Sequence, residues 1–177
     1  MTDKPIPGSY WVVPGRFLAG EYPASTRGEA ALTRDRLAAF LDAGFDTFFD
    51  LTLVNDLPSY AGLLQEMAGA RGLTVEYRRS GIPDRGLPAP AQMSALLEAI
   101  DAALQAGRKV YLHCWGGIGR TGTTVGCWLV RRGLTGDAAL VRLNELYRTS
   151  EQSRFFAHSP EISEQEAFVR GWNNGVE

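Results

Sequence analysis

The sequence predicts an α/β protein: a single domain with a central, mostly parallel, twisted sheet of about four or five strands flanked by helices. Short apolar runs that suit strands alternate along the chain with segments whose apolar residues recur every three or four positions. Such alternation places successive strands in parallel and covers the sheet with helices. The length of 177 residues, 45% of them hydrophobic, is enough for one domain with a substantial core.

The N-terminal region is rich in proline and glycine, and we expect residues 1–9 to form a flexible segment. The domain would then occupy the whole chain, 1–177, with its core at about residues 10–174. Tyr10–Val13 and Arg16–Ala19 lie between these prolines and glycines, which predicts two short edge strands.

Apolar spacing and helix-stopping glycines define the remaining elements in order. They are a helix ending at Gly44, a strand over 45–53, a helix ending at Gly72, a strand over 73–77, an irregular loop over 80–90, a helix from Pro90 to Gly107, a strand over 109–113, a helix over 121–132, a helix around 140–147 and a last helix opened by Ser159-Pro160-Glu161.

Charge and cysteine content exclude several classes of partner. The net charge of −2 gives no electrostatic reason for binding nucleic acid or a membrane surface. No apolar stretch is long enough to span a bilayer, and the N-terminus lacks the apolar core of a signal peptide. A disulfide between Cys114 and Cys127 would require the loop and helix between them to unfold, so we expect a reducing compartment. We therefore expect a cytoplasmic protein, with a monomer as the default.

The run from His113 to Thr121 carries the strongest chemical signal. It joins a predicted strand to a predicted helix and reads His-Cys-Trp-Gly-Gly-Ile-Gly-Arg-Thr. Glycines let successive backbone N–H groups point inward at a helix start, where they attract a phosphate-sized dianion. The same field stabilises a thiolate at Cys114, and the planar fork of Arg120 suits two phosphate oxygens.

This run has three other interpretations. Cys114 could be a packing residue, because cysteine is among the most buried residue types. A nucleotide-binding P-loop fails because the chain has no Gly-Lys-Ser/Thr sequence. A zinc site fails because His113 and Cys114 are adjacent, and Cys127 and His158 offer no ligand spacing. We expect neither a metal nor another cofactor.

The pattern His-Cys-x-x-Gly-x-x-Arg-Thr resembles the signature of the cysteine-dependent protein tyrosine phosphatase superfamily, in its compact dual-specificity-like branch of bacterial type. Leu18–Pro23 resembles the entry strand of such domains, and Phe48–Thr52 resembles their central strand. Together these matches cover roughly residues 10 to 174.

The resemblance implies a two-step phosphomonoesterase in which Cys114 attacks phosphorus, forms a phosphocysteine and is released by water. Arg120 would hold the phosphate, and Thr121 would hydrogen-bond the Cys114 sulfur as it leaves, or serve only as a hydroxyl at the helix start. His113 would orient the loop rather than act as a base. Backbone N–H groups of the loop would bind the equatorial oxygens. These belong to Trp115, Gly116, Gly117, Ile118, Gly119 and Arg120.

The leaving group needs a proton from elsewhere. Asp84, in Ile82-Pro83-Asp84, resembles the acid of the family's Trp-Pro-Asp loop, with Ile in place of Trp. The alternative for Asp84 is a turn residue that caps its own backbone. Asp50, within a strand, and Asp56, in a following loop, are alternative acids.

Two late residues are weaker candidates. Gln165 resembles a glutamine that positions the hydrolytic water in some members of the superfamily, but it could equally be an exposed helix residue between two glutamates. Cys127 is expected to be a packing residue behind the loop, with a reversible disulfide to Cys114 as the alternative.

Trp115 and Ile118 are the variable positions of the loop, and both are neutral and bulky. Phosphoinositide phosphatases of the superfamily often carry basic residues there, so their absence argues against a lipid or polyphosphate substrate. The leading hypothesis is a protein phosphatase that acts on phosphotyrosine, with phosphoserine and phosphothreonine as further substrates. Arg78, Arg79 and Arg85 could still supply charge near the cleft. The alternatives are a small-molecule, inositol phosphate or phosphoinositide phosphatase, and a catalytically silent phosphate-recognition module.

Overall fold

The computed structural model describes residues 3–173, with a five-stranded sheet at its centre in the order β1-β2-β5-β3-β4. The β1/β2 pair is antiparallel, and the other three pairs are parallel. This confirms the predicted single-domain α/β architecture. The strands are β1 Ser9–Val13, β2 Phe17–Gly20, β3 Thr47–Asp50, β4 Glu76–Arg79 and β5 Val110–His113.

Helices cover both faces of the sheet. They are α1 Ala30–Asp42, α2 Ala61–Gly69, α3 Pro90–Gln105, α4 Gly119–Arg131, α5 Gly136–Tyr147 and α6 Ser163–Arg170, with a 3-10 turn at Glu151–Arg154. Successive strand side chains point to opposite faces. Phe48 accordingly packs in a core with α1 and α2, whereas its neighbour Phe49 packs in the larger core with α3 to α6.

Helix α4 lies at the centre of the larger core, and every residue of its 119–129 stretch is buried. Its neighbours approach so closely that a Cβ at Gly122 would overlap the Ser159 hydroxyl. A helix buried on all sides is held in a fixed position, so the loop that precedes α4 begins from a rigid support.

The N-terminal region differs from the prediction in two ways. Strand β2 is not an edge strand, because it lies between β1 and β5; its apolar run of Phe17, Leu18 and Ala19 is fully buried, as in an interior parallel strand. Residues 3–9 are packed rather than free. Ile6 is buried, and the Lys4 ammonium donates to the Thr149 carbonyl oxygen at 2.7 Å.

Two further element boundaries differ for identifiable reasons. Strand β4 begins at Glu76, not Leu73, because Leu73 remains exposed while Tyr77 and Arg79 bond the Asp50 carboxylate. The last helix begins at Ser163 and not at the predicted Ser159-Pro160-Glu161, because the Ser159 hydroxyl donates to the Ile118 carbonyl oxygen at 2.7 Å instead of capping a helix.

Candidate active site

The loop from Cys114 to Ile118 connects the end of β5 to the start of α4, at the carboxyl edge of the parallel strands. Gly117 has φ of +74°, and a Cβ there would overlap the backbone of Gly20. The Trp115 carbonyl oxygen accepts a hydrogen bond from the Tyr22 N–H at 2.9 Å. The loop is therefore packed directly on the segment after β2, and its glycine cannot be replaced without moving that segment.

The two residues with the clearest chemistry, Cys114 and Arg120, lie together in this loop. Cys114 is 3% exposed and lines a cleft, and Arg120 is 2% exposed. Burial opposes the charge of Arg120, but the negative charges of Cys114, Asp56 and Asp84 raise its pKa above the ordinary value. A charged guanidinium thus faces a thiol in a helix-start cradle, as an anion-binding nucleophile requires.

Two carboxylates from different loops share the Arg120 guanidinium. Asp56 Oδ2 lies 2.7 Å from Nη1, and Asp84 Oδ1 lies 3.3 Å from Nη2. The Ile82 carbonyl oxygen also accepts from Nη1, at 3.0 Å. Arg120 is thereby held in place from below by Asp56 and from the cleft side by Asp84.

The structure separates the candidate acids by their surroundings. Burial opposes ionisation of Asp56, but hydrogen bonds from Arg120 and from the Leu53 N–H lower its pKa below the ordinary value. Asp50 is buried, and its oxygens accept from Thr52 and Tyr77. Asp84 is the one of the three that lines the cleft, with 62% of its side chain exposed. These positions favour Asp84 over Asp50 and Asp56 as the candidate acid.

His113 is fully buried below the loop and bridges it to α2. Its Nδ1 lies 3.0 Å from the Cys114 carbonyl oxygen, and its Nε2 lies 2.6 Å from the Tyr60 hydroxyl. Because a carbonyl oxygen only accepts, Nδ1 carries the proton and Nε2 accepts from Tyr60. Burial lowers the pKa of His113, although the Asp50 charge acts in the opposite sense. A neutral imidazole with a hydrogen bond at each ring nitrogen suits the predicted role of orienting the loop.

Thr121 does not make the predicted contact. Its hydroxyl is fully buried, and within residues 3–173 it has no hydrogen-bond partner, the Cys114 sulfur included. It is also not a helix cap, since the residue that precedes α4 is Ile118. The hydroxyl beside the nucleophile is therefore left without the bond that the resemblance implied.

Gln165 is fully buried, which rules out the exposed helix position considered as its alternative. Its side-chain nitrogen donates to the Gly86 carbonyl oxygen at 3.3 Å, and its oxygen accepts from the Glu161 N–H at 3.2 Å. A Cβ at Gly119 would lie 3.0 Å from this same oxygen. Gln165 thus lies between the first residue of α4, which follows the Cys114–Ile118 loop, and the loop that carries Asp84.

The remaining candidates are accounted for by packing and pairing. Cys127 is fully buried and unpaired, and burial raises the pKa of its thiol, as suits a packing residue.

The three arginines that could have charged the cleft do not line it. They are instead paired with carboxylates, in the pairs Arg78–Glu76, Arg79–Asp50 and Arg85–Glu161.

A cleft of about 580 Å³ opens above Cys114. Trp115 stands at its rim with 50% of its surface exposed, whereas Ile118 is only 5% exposed. Sequence reasoning missed much of the wall, because it comes from segments distant from the loop in sequence. The missed lining residues are Glu21, Tyr22, Ala24, Ser25, Thr26, Arg27, Glu29, Leu32, Arg36, Gln152, Phe156 and Glu161.

The structure also bears on metal binding and on membrane insertion. Among residues 3–173, no three His, Cys, Asp or Glu side chains are grouped so as to hold a metal ion. Over the same residues, none of the helices has both the length and the apolar character needed to cross a bilayer.

The fold and this arrangement of cysteine, arginine and aspartate are typical of the cysteine-dependent phosphatase class. Residues 24–134, more than half of the chain, match the family described as "Polymorphic toxin system, DSP-PTPase phosphatase". The chain belongs to this family of dual-specificity and tyrosine phosphatases.

Comparisons with other proteins agree with this assignment. The chain is 28% identical over 123 residues to the mouse (Mus musculus) "Protein tyrosine phosphatase domain-containing protein 1", but it spans only 16% of that protein's length. A glycine-to-alanine variant of Tk-PTP is 26% identical, with a TM-score of 0.68 over 93% of this chain and 94% of its own.

Two more distant structures share the fold. One is a variant of P. aeruginosa TpbA in complex with pTyr, at 17% identity and a TM-score of 0.67 over 98% of this chain and 90% of its own. The other is the PP-IP phosphatase SIW14 from S. cerevisiae, at 15% identity and a TM-score of 0.67 over 97% and 88%. At these identities the likeness is one of fold alone.

Proposed function

We propose that this chain hydrolyses phosphotyrosine in proteins, with phosphoserine and phosphothreonine as further substrates, through a phosphocysteine intermediate. The observation that carries the choice of substrate is the apolar rim of the cleft. Leu32, Trp115 and Phe156 line it with 40%, 50% and 48% of their surfaces exposed. Exposed aromatic and aliphatic side chains around a phosphate cradle suit an aromatic ring that carries the phosphate.

In the first step the Cys114 thiolate attacks phosphorus, forming an S–P bond as the bond between phosphorus and the leaving oxygen breaks. Arg120 and the N–H groups at the start of α4 stabilise the equatorial oxygens. Asp84 gives its proton to the leaving oxygen, because its carboxyl lies in the cleft beside Arg120.

In the second step a water molecule attacks the phosphocysteine, and the S–P bond breaks to return the thiolate. The proton of that water passes to the Asp84 carboxylate, which restores the acid for the next cycle. Inorganic phosphate leaves. A reducing compartment such as the cytoplasm suits this scheme, because Cys114 and Cys127 must remain the free thiols that the structure contains.

The charges of the cleft support a singly phosphorylated substrate. Apart from Arg120, the cleft is lined by two arginines and four carboxylates, among them Glu21, Glu29 and Glu161. Arg36 is paired with Glu21 at 3.6 Å. A wall with more acidic than basic side chains repels a substrate that carries several phosphates.

An inositol phosphate is the second candidate, and one observation favours it. Arg27 lines the cleft, and within the part of the chain that the structure describes its guanidinium has no ion-pair partner. A free cation at that position suits a second phosphate group. It suits an acidic residue of a peptide equally well.

Turnover of phosphotyrosine peptides, measured beside inositol hexakisphosphate and phosphoinositides, tests the proposal. We expect kcat/KM to be highest for phosphotyrosine peptides and to fall about tenfold in Trp115→Ala and Phe156→Ala, through lost contact with the ring. Phe155→Ala is the matched control, since Phe155 is 79% exposed and does not line the cleft.

A preference for inositol phosphates would overturn the proposed substrate. Phosphate binding without turnover of any of these compounds would instead support a recognition module.

A further inference from the structure

The loop that carries Asp84 has an unusual backbone at its tip. The Gly86 N–H donates to the Pro83 carbonyl oxygen at 2.8 Å, which closes a four-residue turn around Asp84 and Arg85. Arg85 has φ of +55°, and every other described residue with a positive φ is a glycine. This left-handed conformation is disfavoured for a residue with a long side chain, and at this position of a turn it favours glycine.

The Arg85 side chain connects this turn to the far side of the cleft. Its Nη1 lies 3.5 Å from Glu161 Oε1, in the segment just before α6. The other Glu161 oxygen lies 3.0 Å from where a Cβ of Gly119 would be. The Arg85–Glu161 pair therefore joins the turn to a carboxylate that lies against the first residue of α4, directly after the Cys114–Ile118 loop.

Stability gives no reason for an arginine at this position. The pair is partly open to solvent, with 62% of the Arg85 side chain and 29% of the Glu161 side chain exposed. Exposed pairs contribute little to folding, and the left-handed backbone acts against it. Arg85 affects instead where the turn places Asp84, because Asp84 directly precedes it in the chain.

We infer that Arg85 is a positioning residue for the acid: by pairing with Glu161 it holds the turn so that the Asp84 carboxyl faces the cleft. Gln165 provides a second attachment through its hydrogen bond to the Gly86 carbonyl oxygen. Arg85 itself does not line the cleft and acts only through Asp84. This inference rests on the proposed role of Asp84 as the proton donor.

The test compares kcat/KM for p-nitrophenyl phosphate, whose leaving group needs little protonation, with kcat/KM for phenyl phosphate, whose leaving group needs much. Arg85→Gly and Arg85→Asn both tolerate the left-handed backbone and lack the guanidinium. We expect both to lose about tenfold on phenyl phosphate and less than twofold on p-nitrophenyl phosphate. Arg85→Lys should recover most of the rate.

Glu161→Gln should show the same dependence on the leaving group, and the double variant Arg85→Gly/Glu161→Gln should lose no more than either single one. Arg142→Gln is the control for loss of an exposed pair, because Arg142 bonds Glu145 on α5. An equal loss on both substrates would indicate a merely structural role and overturn the inference.

Asp84→Asn separates this inference from the proposed function on which it rests. We expect this variant to lose about a hundredfold on phenyl phosphate. If it does so while the Arg85 variants behave as wild type, the inference is wrong and the proposed acid stands. If Asp84→Asn also behaves as wild type, the proposed acid is wrong, and the inference falls with it.

Discussion

The Cys114–Ile118 loop, which we propose binds the phosphate, and the loop that carries Asp84 meet at Arg120, but they are held in different ways. The first is fixed by buried contacts: Gly117 on the Gly20 backbone, His113 bonded on both sides, and the Ile118 carbonyl bonded to Ser159. The second has one short buried contact, between the Ile82 carbonyl oxygen and Arg120 at 3.0 Å. Its tip, with the exposed or half-buried Asp84, Arg85 and Gly86, reaches its partners through longer contacts of 3.3 to 3.5 Å.

This difference corresponds to what each loop has to do. The phosphate cradle must be organised before the substrate arrives, since donors that are already oriented cost nothing to rearrange during the reaction. The acid must admit the substrate and then approach its leaving oxygen, so weaker attachments are an advantage there. The Arg120 guanidinium therefore lies between a tightly held loop and a more loosely held one.

The largest effect should come from the rigid loop. Cys114→Ser should reduce turnover of p-nitrophenyl phosphate by about 10⁴-fold or more, because a serine hydroxyl at this position has no base to activate it. The change is nearly isosteric, so the free energy of unfolding should stay close to that of the wild type. Retained turnover would contradict the covalent mechanism.

A smaller loss of activity should distinguish the roles of Asp56 and Asp84, the two carboxylates paired with Arg120. Asp56→Asn keeps the shape of the side chain but removes the charge that lies 2.7 Å from Nη1. We expect kcat/KM to fall about tenfold on p-nitrophenyl phosphate and phenyl phosphate alike, because the clamp is loosened for every substrate. Asp84→Asn, in contrast, should spare p-nitrophenyl phosphate. A leaving-group-dependent loss in Asp56→Asn would make Asp56 the acid and reverse the comparison.

The rigid loop is also the part of the site that the sequence predicts best. Its nucleophile, cradle and clamp lie within Cys114–Arg120, and their chemistry follows from residue type and spacing alone. Asp84 was found through its own short motif. Tyr60, Phe156 and Glu161 were not, because each reaches the site from an element far away in sequence. Only the packing of the folded chain reveals such partners.

The fold likewise has features that local sequence predicts and features that depend on distant residues. Alternating apolar patterns predict the parallel sheet and its helices, which depend on local periodicity. The interior position of β2 depends instead on which strand comes to lie beside it, and here that strand is β5, about ninety residues later. Glycines and prolines at the ends of β2 suggested an edge, but the buried apolar run between them decided the outcome.

The smallest effect concerns the support beneath the rigid loop and depends on pH. Because burial lowers the pKa of His113 in the folded state, the unfolded chain takes up a proton below its ordinary pKa of about 6.5 while the folded chain does not. Folding is therefore weakened as pH falls below 6.5, and His113 adds no pH dependence above it.

The variant His113→Asn tests this, because its amide can keep the hydrogen bond to the Cys114 carbonyl oxygen but cannot titrate. Chemical denaturation should show this variant less stable than the wild type at pH 7.5, with the gap narrowing by about 1 kcal/mol at pH 5.5. His158→Asn removes an exposed histidine and serves as the control. A gap that stays constant with pH would mean that His113 takes up its proton as readily in the folded chain as in the unfolded one, which would contradict the neutral imidazole.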